Sequence, residues 1–154
     1  MSDSDNQEAT LGPRSRILAV DFGDARTGLA ATDWTGSIAV PLPRIDSKDR
    51  KDVIRQIDEL CRERETQGVV VGLPLTVDGK VGDRAKQTQE FVDQLNDSLA
   101  LPVATVDESH TTDEAHERLK QGGMKAKKRK DFADSIAALV ILERYREVLR
   151  RPQR

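Results

Sequence analysis

The chain has 154 residues, 36% hydrophobic and 34% charged, with 25 Lys+Arg against 27 Asp+Glu and a formal net charge of −2. That length fits one domain with a core of ordinary size, and aromatics at only 3% argue against base stacking as the main mode of any nucleic-acid binding. The single cysteine, Cys61, excludes a disulfide framework and a thiolate zinc site and suits a reducing cytoplasm, and no apolar run approaches the roughly 20 residues of a membrane span.

The near-neutral total hides an asymmetry. Residues 118–154 carry 12 Lys/Arg against 4 Asp/Glu, whereas residues 1–117 carry 13 against 23. A basic end on an acidic chain points to a polyanionic partner met on one face; the alternative is a solvated helix surface. Residues 1–14 are acidic and polar, without an apolar h-region, and read as a disordered tail rather than a signal peptide. Residues 15–150 are expected to form one domain, and 151–154 a short C-terminal tail.

Arg16 to Asp21 reads as a first, buried strand, because Ile17-Leu18-Ala19-Val20 is an unbroken apolar run. Phe22 to Gly28 is expected to be a turn with two glycines. Leu29 to Thr32 is a second short strand, Asp33-Trp34-Thr35-Gly36 a hairpin turn, and Ile38 to Val40 a third strand stopped by Pro41 and Pro43. Ser47 can cap a first helix with Val53, Ile54, Ile57, Leu60 and Cys61 on one face. Val69-Val70-Val71 is a fourth strand, followed by a glycine-bearing loop through Gly79 and Gly82. Asp83 can cap a second helix with the stripe Ala85, Phe91, Val92, Leu95 and Leu99. Leu101 to Val106 is a fifth strand. Thr111 to Glu114 fits a capping box opening a third, short helix that Gly122-Gly123 ends. Lys125 to Lys130 reads as a basic loop, and a final helix runs from about Asp131 to Leu149. An antiparallel meander followed by βαβ units gives an α/β fold: a mixed five-stranded sheet, its first three strands antiparallel, flanked by helices.

Three acids stand apart: Asp21 at the end of the first strand, Glu108 after the fifth, and Asp134 in an otherwise apolar stretch of the final helix. If the first strand is central, the ends of strands one and five can be adjacent, with the final helix packed across them. Clustered carboxylates stay ionised only if a cation offsets their charge. All-oxygen ligation favours Mg²⁺ or Mn²⁺ over zinc. Two such ions about 4 Å apart can activate a water and stabilise the leaving oxygen of a phosphodiester. On pattern alone Asp21 could equally terminate a strand, Asp107 could cap the following turn, Asp134 could be an early-helix acid, and Asp131 competes with it.

Four segments then combine: Asp21-Phe22-Gly23-x-x-Arg26-x-Gly28; Val71-Gly72-Leu73-Pro74 with Asp78-Gly79; Asp107-Glu108-x-x-Thr111-Thr112; and Asp134-Ser135-x-Ala137-Ala138. In this order and spacing they resemble the YqgF/RuvX family, the pre-16S rRNA nucleases formerly described as Holliday junction resolvases, over about Arg16 to Tyr145. The resemblance implies an RNase H-like fold and a two-metal nuclease site. It maps the family's acids onto Asp21, Glu108 and Asp134 in preference to Asp131, and marks Arg26 as a contact to substrate phosphate. The family usually has arginine after its Asp-Glu pair; here Ser109 and His110 follow. That removes a planar, permanently charged phosphate contact.

With the resemblance, the basic stretch gains weight, because it leads into the helix carrying Asp134. The expected nucleic-acid contacts are Arg26, Thr111, Lys125, Lys127, Lys128, Arg129 and Lys130. The expected activity is metal-dependent hydrolysis at the 5′ end of pre-16S rRNA, with Mg²⁺ or Mn²⁺ as cofactor. The expected setting is the cytoplasm, with structured RNA and ribosomal precursor particles as partners, no membrane, and a monomer or weak homodimer. The alternatives are a junction resolvase acting on branched DNA and a non-catalytic RNA-binding factor. A nucleotide-binding module of the sugar-kinase or actin type would need two such domains, more than 154 residues provide.

Overall fold

The computed structural model describes residues 11–74, 82–107 and 126–151, with side chains from Ser135 onward in the last stretch. Its strands are β1 (Ile17–Asp21), β2 (Arg26–Thr32), β3 (Ala39–Asp46), β4 (Gly68–Leu73) and β5 (Val103–Asp107). Its helices are α1 (Arg50–Glu63), α2 (Asp83–Ser98) and α3 (Ala126–Arg150). The sheet runs β3-β2-β1-β4-β5. β1 pairs antiparallel with β2, β2 antiparallel with β3, and β1–β4 and β4–β5 are parallel. The mixed five-stranded sheet expected from the sequence is therefore present, with β1 at its centre.

The alternation of β1 divides the core. Leu18 and Val20 join Leu29, Ala31, Val69 and Val71 in a cluster covered by α1 and α2 through Val53, Ile57, Cys61, Phe91, Val92 and Leu95. Ile17 and Ala19 join Ala30 and Val70 on the opposite face, under Ala138, Ile141, Leu142 and Tyr145 of α3. A continuously apolar strand is what a site buried on both faces requires. Leu11, within the stretch read as a tail, packs against the α3-side cluster. Among the described residues no helix is long and apolar enough to cross a membrane.

Several boundaries differ from expectation, each for a local reason. β3 continues through Pro41 and Pro43 because it is an edge strand, where a missing N–H on the outer side costs no ladder bond. Its register slips between Thr27 and Leu29 of β2, which face Ile45 and Leu42. Asp49, not Ser47, caps α1: its side chain accepts from Lys51 N at 3.0 Å, while the Ser47 hydroxyl accepts from Asp49 N at 3.2 Å. Gly82, not Asp83, is the N-cap of α2, which leaves Asp83 as its first residue. The basic stretch is not a loop beyond Lys125: α3 starts at Ala126, so Lys127, Lys128, Arg129 and Lys130 lie in its first turns. Lysine and arginine are good helix formers, and the stretch lacks glycine and proline.

The ends of β1 and β5 are not adjacent, because β4 lies between them. The loop residues 75–81 and the expected short helix at Thr111 lie outside the described residues.

Candidate active site

Asp21 closes the central strand. Its neighbours in sequence anchor it: Val20 is fully buried, and Phe22 stacks on Phe91 of α2 with ring centroids 4.1 Å apart and planes 10° apart. The Arg50 guanidinium lies over the Phe22 ring, 5.5 Å from its centroid. Asp21 itself is half-buried. By strand alternation its side chain shares the α3 face with Ile17 and Ala19.

The surroundings of Asp21 on that face are glycine on both sides. Gly28 of β2 pairs with Asp21 directly. Gly72 of β4 is one residue past Val71, the partner of Val20, and pairs in turn with Val106 of β5. At this level the sheet therefore reads Gly28, Asp21, Gly72, Val106. Gly28, expected in the turn, is a strand residue. Its missing side chain clears the space beside the carboxylate.

The turn that follows is tight at Gly23. A Cβ there would stand 2.3 Å from the Arg26 carbonyl oxygen, a contact no side chain tolerates. This fold-back carries Arg26, exposed at the start of β2, beside Asp21. Asp21, Phe22, Gly23, Asp24, Ala25, Arg26 and Arg84 line a cleft of about 210 Å³. Arg84, in the first turn of α2, was not anticipated from the sequence. Nothing in its local pattern distinguishes it from any exposed helix arginine; only the packing of α2 over β4 and β5, with Phe91 stacked on Phe22, brings it to the cleft.

The other expected site residues are placed in part. Glu108, Thr111 and Lys125 lie outside the described residues, and the side chains of Asp134 and of Lys127 to Lys130 do too. Among the described residues no group of three His, Cys, Asp or Glu could hold a metal ion. The backbone of α3 is nevertheless fixed near Asp21. Ser135, adjacent to Asp134, donates from its hydroxyl to the Leu42 carbonyl at 2.6 Å. Leu42 faces Leu29, which faces Val20, so this anchor lies one residue level below Asp21 and two strands across the sheet, on β3. At the other side of the sheet Arg144 donates to the Asp107 carbonyl at 2.6 Å, tying α3 to the residue before Glu108.

A sheet in the order β3-β2-β1-β4-β5 with, among the described residues, one helix across one face and two on the other defines an RNase H-like fold. The chain is similar in structure to Thermus thermophilus RuvC in complex with a Holliday junction substrate (TM-score 0.51, 15% identity, 87% of this chain and 96% of that one). It is similar also to the fowlpox virus resolvase in complex with Holliday junction DNA (TM-score 0.54, 12% identity, 87% and 98%). Within that class, residues 15–147 match the family model RuvX, described as Holliday junction resolvase, and the chain belongs to this family. Curated relatives carry the name "Putative pre-16S rRNA nuclease". One, from Synechococcus sp. (strain JA-2-3B'a(2-13)), is 39% identical over 93% of this chain and 84% of its own length. Another, from Chloroflexus aurantiacus, is 40% identical over 87% and 88%.

Proposed function

We propose that this protein is a divalent-metal-dependent nuclease that processes the 5′ end of pre-16S rRNA, with Asp21, Glu108 and Asp134 holding the metal. The observation that carries the reading is the position of Asp21: an acid at the end of the central strand, flanked at its own level by Gly28 and Gly72. Glu108 follows β5 in sequence, two residues beyond Val106, whose side chain packs on the α3 side, and Asp134 immediately precedes the anchored Ser135. The donor set is all carboxylate, which fits Mg²⁺ or Mn²⁺. When bound, such ions supply charge neutralisation at the scissile phosphodiester.

The chain's own residues position the substrate. Arg26 and Arg84 enter the Asp21 cleft from two different elements and offer planar forks to phosphate oxygens. Lys127, Lys128, Arg129 and Lys130 in the first turns of α3, with Lys125 and Thr111, bind the flanking backbone. Contacts of this kind carry no base code, so the shape of the precursor RNA selects the cut. Cys61 is buried and unpaired, consistent with action in a reducing cytoplasm.

The test is Asp21→Asn, assayed on precursor rRNA with Mg²⁺ or Mn²⁺. Cleavage is lost while far-UV circular dichroism and the melting transition stay close to wild type. Full activity in this variant would sink the reading. Retained RNA binding in a wild type that cuts nothing would instead favour a non-catalytic factor, consistent with Ser109 in place of the family arginine.

The family description favours one second reading, a resolvase of branched DNA. The relatives at 39–40% identity bear the rRNA name, while the junction-bound structures are 12–15% identical, which ranks RNA first. A resolvase cuts two symmetric strands and acts as a dimer. Sedimentation together with a four-way-junction assay separates the readings.

A further inference from the structure

At the end of the sheet opposite Asp21, the β2–β3 turn displays Trp34, the only tryptophan of the chain, at 69% exposure. The turn beneath it is held from several sides. The Asp33 carboxylate accepts from the Thr35 hydroxyl at 2.8 Å, from Ser37 N at 3.0 Å and from Ile38 N at 3.1 Å. Arg146, reaching up from α3, donates to the Ser37 carbonyl at 2.7 Å. Trp34 is thus a large apolar ring held out on a fixed support, which lowers the entropy lost when something binds to it.

Two features define what fits. The Arg16 guanidinium lies over the ring, 5.9 Å from its centroid. A hollow of about 540 Å³, which Arg16 does not line, adjoins the indole and is walled by Thr32, Asp33, Trp34, Thr35, Glu63 and Arg64. None of these is aliphatic. The Thr32 and Thr35 hydroxyls and the Asp33 carboxylate are bonded within the protein, so the groups beside the flat indole wall that face a ligand are the Glu63 carboxylate, an acceptor for exocyclic amino groups, and the Arg64 guanidinium, steadied by donating to the Thr32 carbonyl at 3.1 Å. That is the environment a nucleobase needs: a plane for stacking and polar partners around its edge.

We infer that Trp34 and its hollow bind one unpaired base of a single-stranded RNA segment, at a site separate from the Asp21 cleft. The identity of that RNA as part of the processed precursor rests on the nuclease reading; the base site itself does not.

Because Trp34 is the only tryptophan, its fluorescence reports the site directly. An unstructured oligoribonucleotide of about ten nucleotides is titrated into the full chain carrying Asp21→Asn, with fluorescence anisotropy of labelled RNA measured in parallel. Single-stranded RNA quenches Trp34 emission saturably, and duplex RNA of equal length does not. Trp34→Leu weakens single-strand binding about tenfold, the loss of one stacked base, while Trp34→Phe keeps it within about threefold because a stacking plane remains. RNA bound with unchanged emission, wild-type affinity in Trp34→Leu, or no binding of single-stranded RNA at all would each overturn the inference; the ring would then be a protein-facing surface. None of these outcomes depends on whether the wild type cleaves.

Discussion

Asp21 stands directly opposite Gly28 in the β1–β2 ladder, on the face that α3 covers. A side chain at position 28 would rise beside the carboxylate, in a strand where a β-branched residue otherwise fits well. Gly28→Val is therefore expected to fold and to melt cooperatively. It is expected to lose cleavage by on the order of 100-fold, the usual effect of displacing a reacting group by about an ångström. Gly72→Val should behave alike from the other side. Wild-type turnover in both variants would show that the space beside Asp21 is not used.

Arg26 and Arg84 reach the same cleft from different elements, and each is assigned one phosphate contact. Replacing either with glutamine should raise KM, leave kcat nearly unchanged, and flatten the dependence of log affinity on log salt by about 0.7–0.9 per contact. Arg84→Gln is the sharper test. An unchanged salt slope in that variant would reduce Arg84 to a surface residue.

Much of this arrangement is legible from residue order. β1 and β4 announce themselves as unbroken apolar runs because both their faces are covered, and the stripes Val53-Ile57-Cys61 and Phe91-Val92-Leu95 mark the inner faces of α1 and α2. The continuation of β3 through Pro41 and Pro43 is not legible, since only the sheet order makes it an edge. The place of Gly28 in a strand is hidden for a related reason: glycine reads locally as turn, and its role comes from the residue paired across from it. Arg84 could not be found at all, because its meaning depends on how α2 packs. Of the expected site, Asp21 and Arg26 fall within one cleft. Asp134 was separable from Asp131 only through the family pattern.

Cys61 is 4% exposed, and burial pushes its thiol up from 9.0 to about 11, with a hydrogen bond to Thr66 opposing this in part. The folded pKa lies above the unfolded one, so the folded state holds the proton more tightly. The associated stability is present below about pH 9 and is lost as pH rises toward 11. Urea melts across that window should show a Cys61-dependent decline of at most about 1.4 kcal/mol per pH unit, absent in Cys61→Ala. At pH 8 a disulfide reagent should label Cys61 only at the rate of unfolding, since a buried neutral thiol is unreactive. Fast labelling of the native protein would contradict the burial.

Gly36 has φ +72°, and a Cβ there would stand 1.8 Å from the Arg14 carbonyl oxygen. Its N–H also donates to the Asp33 carbonyl at 3.0 Å, so neither its conformation nor its place can shift without opening the turn. Gly36→Ala should cost at least about 2 kcal/mol in urea unfolding, the left-handed strain and the displaced Arg14 segment adding together. Gly12 is the matched control: nothing lies within 4 Å of its would-be Cβ. Gly12→Ala should be neutral or gain up to about 1 kcal/mol from the unfolded chain. The turn that Gly36 closes also presents Trp34, so Gly36→Ala should broaden and red-shift or blue-shift Trp34 emission well below the melting temperature, while Gly12→Ala leaves the spectrum unchanged. Equal effects of the two substitutions would show that the turn is not held at Gly36.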